Sequence, residues 1–115
     1  MWPIINDVAT GETTEYPDIQ PQRFSQPPEK VLEAAVGAVR SLPHWKVESH
    51  DEAELHAVRT TRLFHFKDDI WVRVAPTDDG WTRVWIRSKS RVGKGDFGQN
   101  ARNIRELQAA LSSRL

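Results

Sequence analysis

The sequence predicts an α+β domain, with an antiparallel sheet of about four strands, two helices packed on one face and an extended N-terminal arm. Three observations carry this. Residues on either side of Asp78-Asp79-Gly80 alternate apolar and polar with a period of two, the mark of paired strands. Two stretches, from Leu32 to Leu42 and from Phe97 to Leu111, repeat apolar residues at helical spacing. The strands come in a run between the helices instead of alternating with them, which favours α+β over βαβ units. At 115 residues, the chain has the length of one small domain. The expected division is an arm over residues 1–26 and a single α+β domain over residues 27–115.

Composition narrows the function classes. Hydrophobic residues make up 38% of the chain and the mean hydropathy is −0.60, as in soluble folds. No apolar run approaches the ~18–20 residues a membrane span needs. The start, Met1-Trp2-Pro3-Ile4-Ile5, lacks the basic region and long apolar core of a signal peptide. Cysteine is absent, which excludes disulfides, thiol chemistry and Cys-based zinc sites; a cytoplasmic protein is expected. The formal net charge is zero but unevenly spread. Residues 1–58 hold 4 Lys/Arg against 10 Asp/Glu (net −6), and residues 59–115 hold 12 against 6 (net +6). Either the halves neutralise each other within one fold, or a basic face is open to an anionic partner.

Pro3, Pro17 and Pro21 interrupt residues 1–26, and the polar run Thr10 to Glu15 offers no stripe to bury. Trp2, Ile4, Ile5, Tyr16, Ile19 and Phe24 would pin an extended arm across the fold. Pro27-Pro28-Glu29-Lys30 opens the first helix, with Ser25 as the expected N-cap and Leu32, Ala35, Val36, Val39 and Leu42 as its apolar face. Pro43 stops it. Trp45 to Ser49 reads as a short strand, His50 to Ala53 as a turn, and Glu54 to Arg62 as a second strand. Which face of that strand points inward is open, because Leu55/Ala57 compete with His56/Val58.

In the central hairpin, Ile70, Val72 and Val74 alternate with Trp71 and Arg73. Thr82, Val84, Ile86 and Ser88 alternate with Trp81, Arg83, Trp85 and Arg87. A three-residue turn with Gly80 left-handed sets Val74 opposite Val84, Arg73 opposite Trp85, Val72 opposite Ile86, and Trp71 opposite Arg87. A five-residue turn would oppose Arg73 and Arg83, a like-charge pair that costs stability. The aliphatic face should lie under the helices. The other face then gathers Trp71, Trp81 and Trp85 among arginines, which is unusual for a surface meeting water. Covering by the N-terminal arm is the first explanation, dimerisation the second, and a stacking platform for single-stranded nucleic acid the third. No RNA-binding motif accompanies it, and a nucleic-acid partner is not expected.

The segment from Arg87 to Gly95 is basic, hydroxylated and glycine-containing, and it leads into the last helix. Helix N-termini attract anions, so Arg73, Arg87, Ser88, Ser90, Arg91, Lys94, Asp96 and Asn100 are the candidate binding residues, with a small anionic ligand in view. The phosphate-loop pattern is absent, however. Asp96 stands where an N-cap belongs, and Gln99 three residues on completes a capping-box-like pair. The buried stripe of this helix reads Phe97, Ala101, Ile104, Leu107, Ala110 and Leu111, with Arg102, Arg105 and Glu106 outward. No nucleophile and base are matched in the sequence. Asp68-Asp69, with His65 three residues before it, is a tight acid pair that could hold a divalent ion or do acid/base work. Neighbours on a strand face opposite ways, though, and the alternative is an ion pair to Arg73, Arg87 or Arg91 for one acid and backbone bonding for the other. No catalytic residue, cofactor or metal is assigned.

Phe66-Lys67-Asp68-Asp69-Ile70, Val72-Arg73, and the string Arg87-Ser88-x-Ser90-Arg91-x-Gly93-x-x-Asp96-x-Gly98-x-Asn100 resemble the signature of the family catalogued as domain of unknown function fourteen ninety-nine. Asn6-Asp7 and Tyr16-Pro17-Asp18-Ile19-x-Pro21 are similar to its longer members, and the likeness spans nearly the whole chain. The segment between Asn6-Asp7 and Tyr16 is shorter than in those members, and Asn103 stands where the family usually has a basic residue. The resemblance implies a shared centre around Asp68, Asp69, Arg73, Arg87, Ser88, Ser90, Arg91, Gly93, Asp96, Gly98 and Asn100. It implies no reaction, substrate or cofactor. Two functional expectations follow. The first is a non-enzymatic binding or assembly module that uses the Trp/Arg face or the basic loop toward a protein partner or a second copy. The second is a small-ligand enzyme or anion-binding protein with a polar site near Asp68/Asp69, Arg87, Ser90 and Asn100.

Overall fold

The computed structural model describes residues 2–93 and 95–115. Its elements run β1 (Asp7–Ala9), β2 (Gln22–Phe24), α1 (Pro28–Ser41), β3 (Trp45–His50), β4 (Glu54–Thr60), β5 (Lys67–Pro76), β6 (Thr82–Ser90) and α2 (Gln99–Ser112). The class is α+β, with an antiparallel sheet as expected. The sheet has six strands, however, not about four. The two additional strands come from the N-terminal segment. β1 pairs with Arg87 to Lys89 and β2 with Thr82 to Val84, both along the same edge of β6. Strand order is β1-β6-β5-β4-β3, with β2 beside β6. Three-residue strands set among prolines are too short to show a period. They form because the free edge of β6 and the backbone of the segment satisfy each other's hydrogen bonds.

The central hairpin has the expected register. Val74 faces Val84, Arg73 faces Trp85, Val72 faces Ile86 and Trp71 faces Arg87. Gly80 sits at φ +83, and its N–H donates to the Thr77 carbonyl at 3.0 Å. Leu55 and Ala57 of β4 lie opposite Val72 and Ile70 and are buried, which settles the inward face of that strand. His56 therefore stands opposite Trp71. β4 ends at Thr60, short of the expected Arg62.

One face of the sheet is buried under both helices. Ile70, Val72, Val74, Val84 and Ile86 meet Val31, Leu32, Ala35, Val36, Ala38 and Val39 of α1 and Ala101, Ile104, Leu107 and Leu111 of α2 in a single core. The cap of α1 is Pro27, without a side-chain bond, not Ser25. The two prolines fix the helix start at Pro28, and Ser25 then lies too far upstream to reach its free N–H groups. The start of α2 also differs from expectation. Phe97 and Gly98 are both left-handed, at φ +53 and +78, so the helix begins at Gln99. Phe97 leaves the expected stripe and is 74% exposed, while Asn100 and Asn103 are buried in its place. Glu106 is half-buried instead of outward, its Oε1 accepting from the Trp45 indole N–H at 2.8 Å.

The arm's apolar residues divide. Ile19 is buried, Ile5, Tyr16 and Phe24 pack against the core, and Trp2 and Ile4 are exposed. The arm runs in the plane of the sheet along the edge of β6 and reaches the Trp/Arg face only at its border, where Arg23 covers Trp81; Trp71 stays exposed.

Neighbouring substitutions on β5 should separate the two faces. Ile70→Ala is expected to cost about 2–5 kcal/mol through the cavity it leaves. Trp71→Ala should cost no more than about 1 kcal/mol, its contacts being exposed stacking. Chemical denaturation checks both, and a similar cost for the two would contradict the two-sided sheet.

Candidate functional site

The polar residues of the C-terminal half fall into two groups, separated by the thickness of the sheet. On the inner face, where the aliphatic ladder of β6 gives way to Ser88 and Ser90, the buried side chains of α2 become polar as well. The Ser88 hydroxyl donates to Asn100 Oδ1 at 2.6 Å. Asn100 Nδ2 donates to Ser90 Oγ at 2.8 Å, to Asp96 Oδ2 at 2.7 Å and to the Asn6 carbonyl at 3.1 Å. Asn103 Nδ2 donates to Asp68 Oδ2 at 2.9 Å and to Ser88 Oγ at 3.1 Å, and Gln99 Nε2 donates to Asn103 Oδ1. Asp68, Ser88, Ser90, Asn100 and Asn103 are all buried. Burial pushes the Asp68 carboxyl above the usual carboxylate range, against hydrogen bonds from Asn103 and Ser90 that pull it down.

Asp96 caps α2 in a different manner from the expected box. Its carboxylate accepts from the N–H groups of Gly98 and Asn100, both at 2.9 Å, so the place an anion would take is filled from within the chain. Gln99 turns to Asn103 instead of reaching back. The early glycine has a structural cause as well. A Cβ on Gly98 would stand 2.6 Å from the Trp2 ring, so only glycine accepts both the left-handed backbone and the close indole.

On the outer face, aromatic rings alternate with guanidinium groups. Arg87 lies over the Trp71 ring at 5.4 Å and Arg73 over Trp85 at 4.2 Å, while Arg23 from β2 covers Trp81 at 4.8 Å. The imidazole of His56 stacks on Trp71 at 5.5 Å. Arg87 forks onto both oxygens of Asp7 at 2.9 and 2.6 Å. Arg91 forks onto Asp69, both bonds 2.9 Å, and His56 Nε2 meets the same carboxylate at 2.8 Å. The Arg91 bonds, with His56 adding to them, hold Asp69 below the usual carboxylate range. Arg87 does the same for Asp7. These ion pairs therefore stabilise the fold at neutral pH and lose their contribution as acid protonates the two carboxylates. Among the described residues, Arg73 has no ion pair.

This face is concave. A groove of about 550 Å³ has Trp71, Arg73, Trp85 and Arg87 on its floor, Thr10 and Glu12 on one wall, and the β3–β4 turn with Asp51 and Glu54 on the other. A shallower depression of about 360 Å³ adjoins it past Trp85 and Arg83.

The residues singled out from sequence are thus distributed between two places. Arg73, Arg87, Arg91, Asp69, Trp71 and Trp85 share the outer face, and Trp81 is stacked under Arg23 beside the turn. Ser88, Ser90, Asp96, Asn100 and Asp68 belong to the inner network. The polar site drawn from Asp68/Asp69, Arg87, Ser90 and Asn100 is not assembled, because pleating sends Asp69 and Arg87 to one side and the others to the opposite side. Of the two acids, Asp69 takes the expected ion pair, with Arg91, whereas Asp68 bonds to the Asn103 side chain and not to backbone. Lys94 lies outside the described residues. Sequence reasoning missed His56, Glu12 and Glu54. The register of β4 against β5 would have placed His56 beside Trp71, but no periodic signal fixed it. Among the described residues no three or more His, Asp or Glu converge to hold a metal ion.

Two substitutions test the inner network. Asp96→Ala removes the hydrogen bonds to the Gly98 and Asn100 amides and to the Asn100 side chain and is expected to cost about 1–2 kcal/mol. Asp68→Asn removes a buried charge and keeps an acceptor toward Asn103. Because the folded carboxyl titrates high, the ionised native form carries a penalty at neutral pH that disappears as it protonates. The variant should match or exceed native stability at pH 7 and lose that advantage as pH falls toward the ordinary Asp range. Urea titrations across pH read this directly.

Comparison with known proteins agrees with this architecture. Protein CV1439 from Chromobacterium violaceum superposes with a TM-score of 0.51 at 14% identity, over 94% of this chain and 96% of that one. TTHA0849 from Thermus thermophilus aligns with a TM-score of 0.47 at 14% identity, over 94% and 95% of the two chains. The first likeness is one of fold alone. None of the curated proteins matches the chain. The model of the family described as Protein of unknown function (DUF1499) matches residues 4–111, a span that takes in both faces of the sheet and both helices; the chain belongs to that family.

Proposed function

We propose that the protein is a non-enzymatic binding module that takes a partner polypeptide in the groove on the outer face of its sheet. The supporting observation is Trp71 and Trp85 on an open floor with the Arg73 guanidinium over Trp85 and free of any ion pair among the described residues. Indoles left at the surface lose the stabilisation that burial would give. A partner recovers it by covering them, and Trp and Arg are the residue types that dominate binding energies when so covered. Glu54 stands opposite Arg73 on the neighbouring strand, but no carboxylate among the described residues is in an ion pair with it, so a partner that brings an acidic group beside an apolar one would complement the floor. The acidic walls, Glu12 on one side and Asp51 and Glu54 on the other, would set its register by repelling misplaced carboxylates. The basic loop after β6 contributes Arg91 to the same face through Asp69. The inner network acts as a folding device, because its hydrogen bonds close on one another.

Native protein and a Trp71→Ala/Arg73→Ala variant, each immobilised, should differ in partner recovery by about tenfold or more, while their denaturation midpoints stay close. Sedimentation velocity on both separates self-association from a distinct partner. Equal recovery by a folded variant, or no self-association and no recovery by the native protein, would end this reading.

A further inference from the structure

Nine large apolar side chains are exposed among the described residues, and seven of them gather at one end of the sheet. They sit on three segments. Leu63, Phe64 and Phe66 come from the β4–β5 loop, Val92 and Phe97 from the β6–α2 loop, and Trp2 and Ile4 from the chain entering β1. The strand register brings these segments together. Asp68 pairs with Ser90 and Asp7 with Lys89, so the start of β5, the end of β6 and the start of β1 are neighbours. Backbone bonds tie them further: Arg91 N–H to the Lys67 carbonyl at 3.0 Å, Ser90 N–H to the Asn6 carbonyl at 2.9 Å, and Asp96 N–H to the Ile5 carbonyl at 3.1 Å.

The apolar groups are held outward by local structure. Thr61 N–H donates to the Phe66 carbonyl at 2.7 Å and its hydroxyl oxygen accepts from the Phe66 N–H at 2.7 Å. This closes a tight loop whose left-handed residue is His65. Phe64 and Phe66 stack at its tip with centroids 5.5 Å apart, and Leu63 is 77% exposed. Phe97, itself left-handed, meets the edge of Trp2 at 6.3 Å. The charged groups among them are of one sign. Arg62 and Lys67 are exposed, Arg91 is paired with Asp69, and the one acid of these segments, Asp96, has its carboxylate turned to the Gly98 and Asn100 amides.

We propose that this end of the sheet seats on the surface of an anionic lipid bilayer. Phe64, Phe66, Leu63 and Phe97 enter the boundary between headgroups and acyl chains, and Arg62 and Lys67 meet headgroup phosphates. Aromatic and aliphatic groups on separate loop tips, interleaved with basic residues, match the composition of an interface anchor. Basic side chains near an anionic leaflet add attraction that falls off within a Debye length. Among the described residues no helix is long and apolar enough to cross a membrane, and the proposed contact is made by loop tips. With strand ends facing the bilayer, the groove on the sheet's outer face stands beside the membrane and stays open. This proposal is independent of the reading of that groove.

Co-sedimentation of the native protein with large vesicles tests it, using phosphatidylcholine alone and phosphatidylcholine mixed with phosphatidylglycerol. The expected result is binding to the anionic vesicles that weakens as salt is raised. Partition should drop at least about tenfold in Leu63→Ser/Phe64→Ser/Phe66→Ser and in Arg62→Glu/Lys67→Glu, with both variants retaining the native circular dichroism spectrum. The altered side chains are exposed, so folding should survive; should either variant misfold, Phe64→Ser alone carries the test. Native protein left in the supernatant with both vesicle types would overturn the proposal. So would equal binding to neutral and anionic vesicles, or binding unchanged in the variants. Self-association abolished by the loop variants without any vesicle binding would assign the tips to a contact between copies and overturn it equally.

Discussion

The pleat of the central hairpin is the constraint on which the rest depends. Side chains of β5 and β6 must alternate, so burying Ile70, Val72 and Val84 beneath the helices forces Trp71, Arg73 and Trp85 to the opposite side. The outer face is the geometric complement of the core and cannot be altered independently of it. Cross-strand pairing then sets Arg beside Trp, and each guanidinium shelters part of an indole.

The inner face changes character along its length, from branched aliphatics to the buried network of Ser88, Ser90, Asn100, Asn103 and Asp68. A polar core region costs stability unless its donors and acceptors are matched. Here Asn100 ties three parts of the chain together: β6 through the two serines, the start of α2 through Asp96, and the N-terminal segment through the Asn6 carbonyl. The network thereby holds the β6–α2 loop and the chain entering β1 against each other. That is the arrangement that presents Trp2 and Phe97 side by side. The shared centre implied by the family signature is thus divided. Asp68, Ser88, Ser90, Asp96 and Asn100 lie in the inner network, and Arg73, Arg87, Arg91 and Asp69 lie on the outer face.

Much of the fold is readable from residues. The hairpin register follows from the turn chemistry of Asp78-Asp79-Gly80 and from avoiding an Arg73–Arg83 pair. The apolar stripe of α1 follows from its helical spacing. Asp96 announces a cap by residue type and place, although the backbone it serves differs from a simple capping box. Phe97 departs from its expected place because a helical period cannot reveal two left-handed residues in succession. β1 and β2 are invisible in the sequence because three residues carry no period, and their formation depends on an edge supplied by a strand far along the chain.

Local rules alone therefore determined roughly where the two helices and the four longer strands lie, how the hairpin pairs, and which side chains of β5 and β6 share a face, because pleat, turn type and helical period act over a few residues. The tertiary structure alone decided that the N-terminal segment completes the sheet edge, that Asp68 and Asp69 serve opposite faces in different company, and that His56 lies against Trp71. It also decided that three separate segments converge at one end. Those outcomes rest on pairing between distant strands, whose free energy depends on the edges and buried partners the folded chain provides.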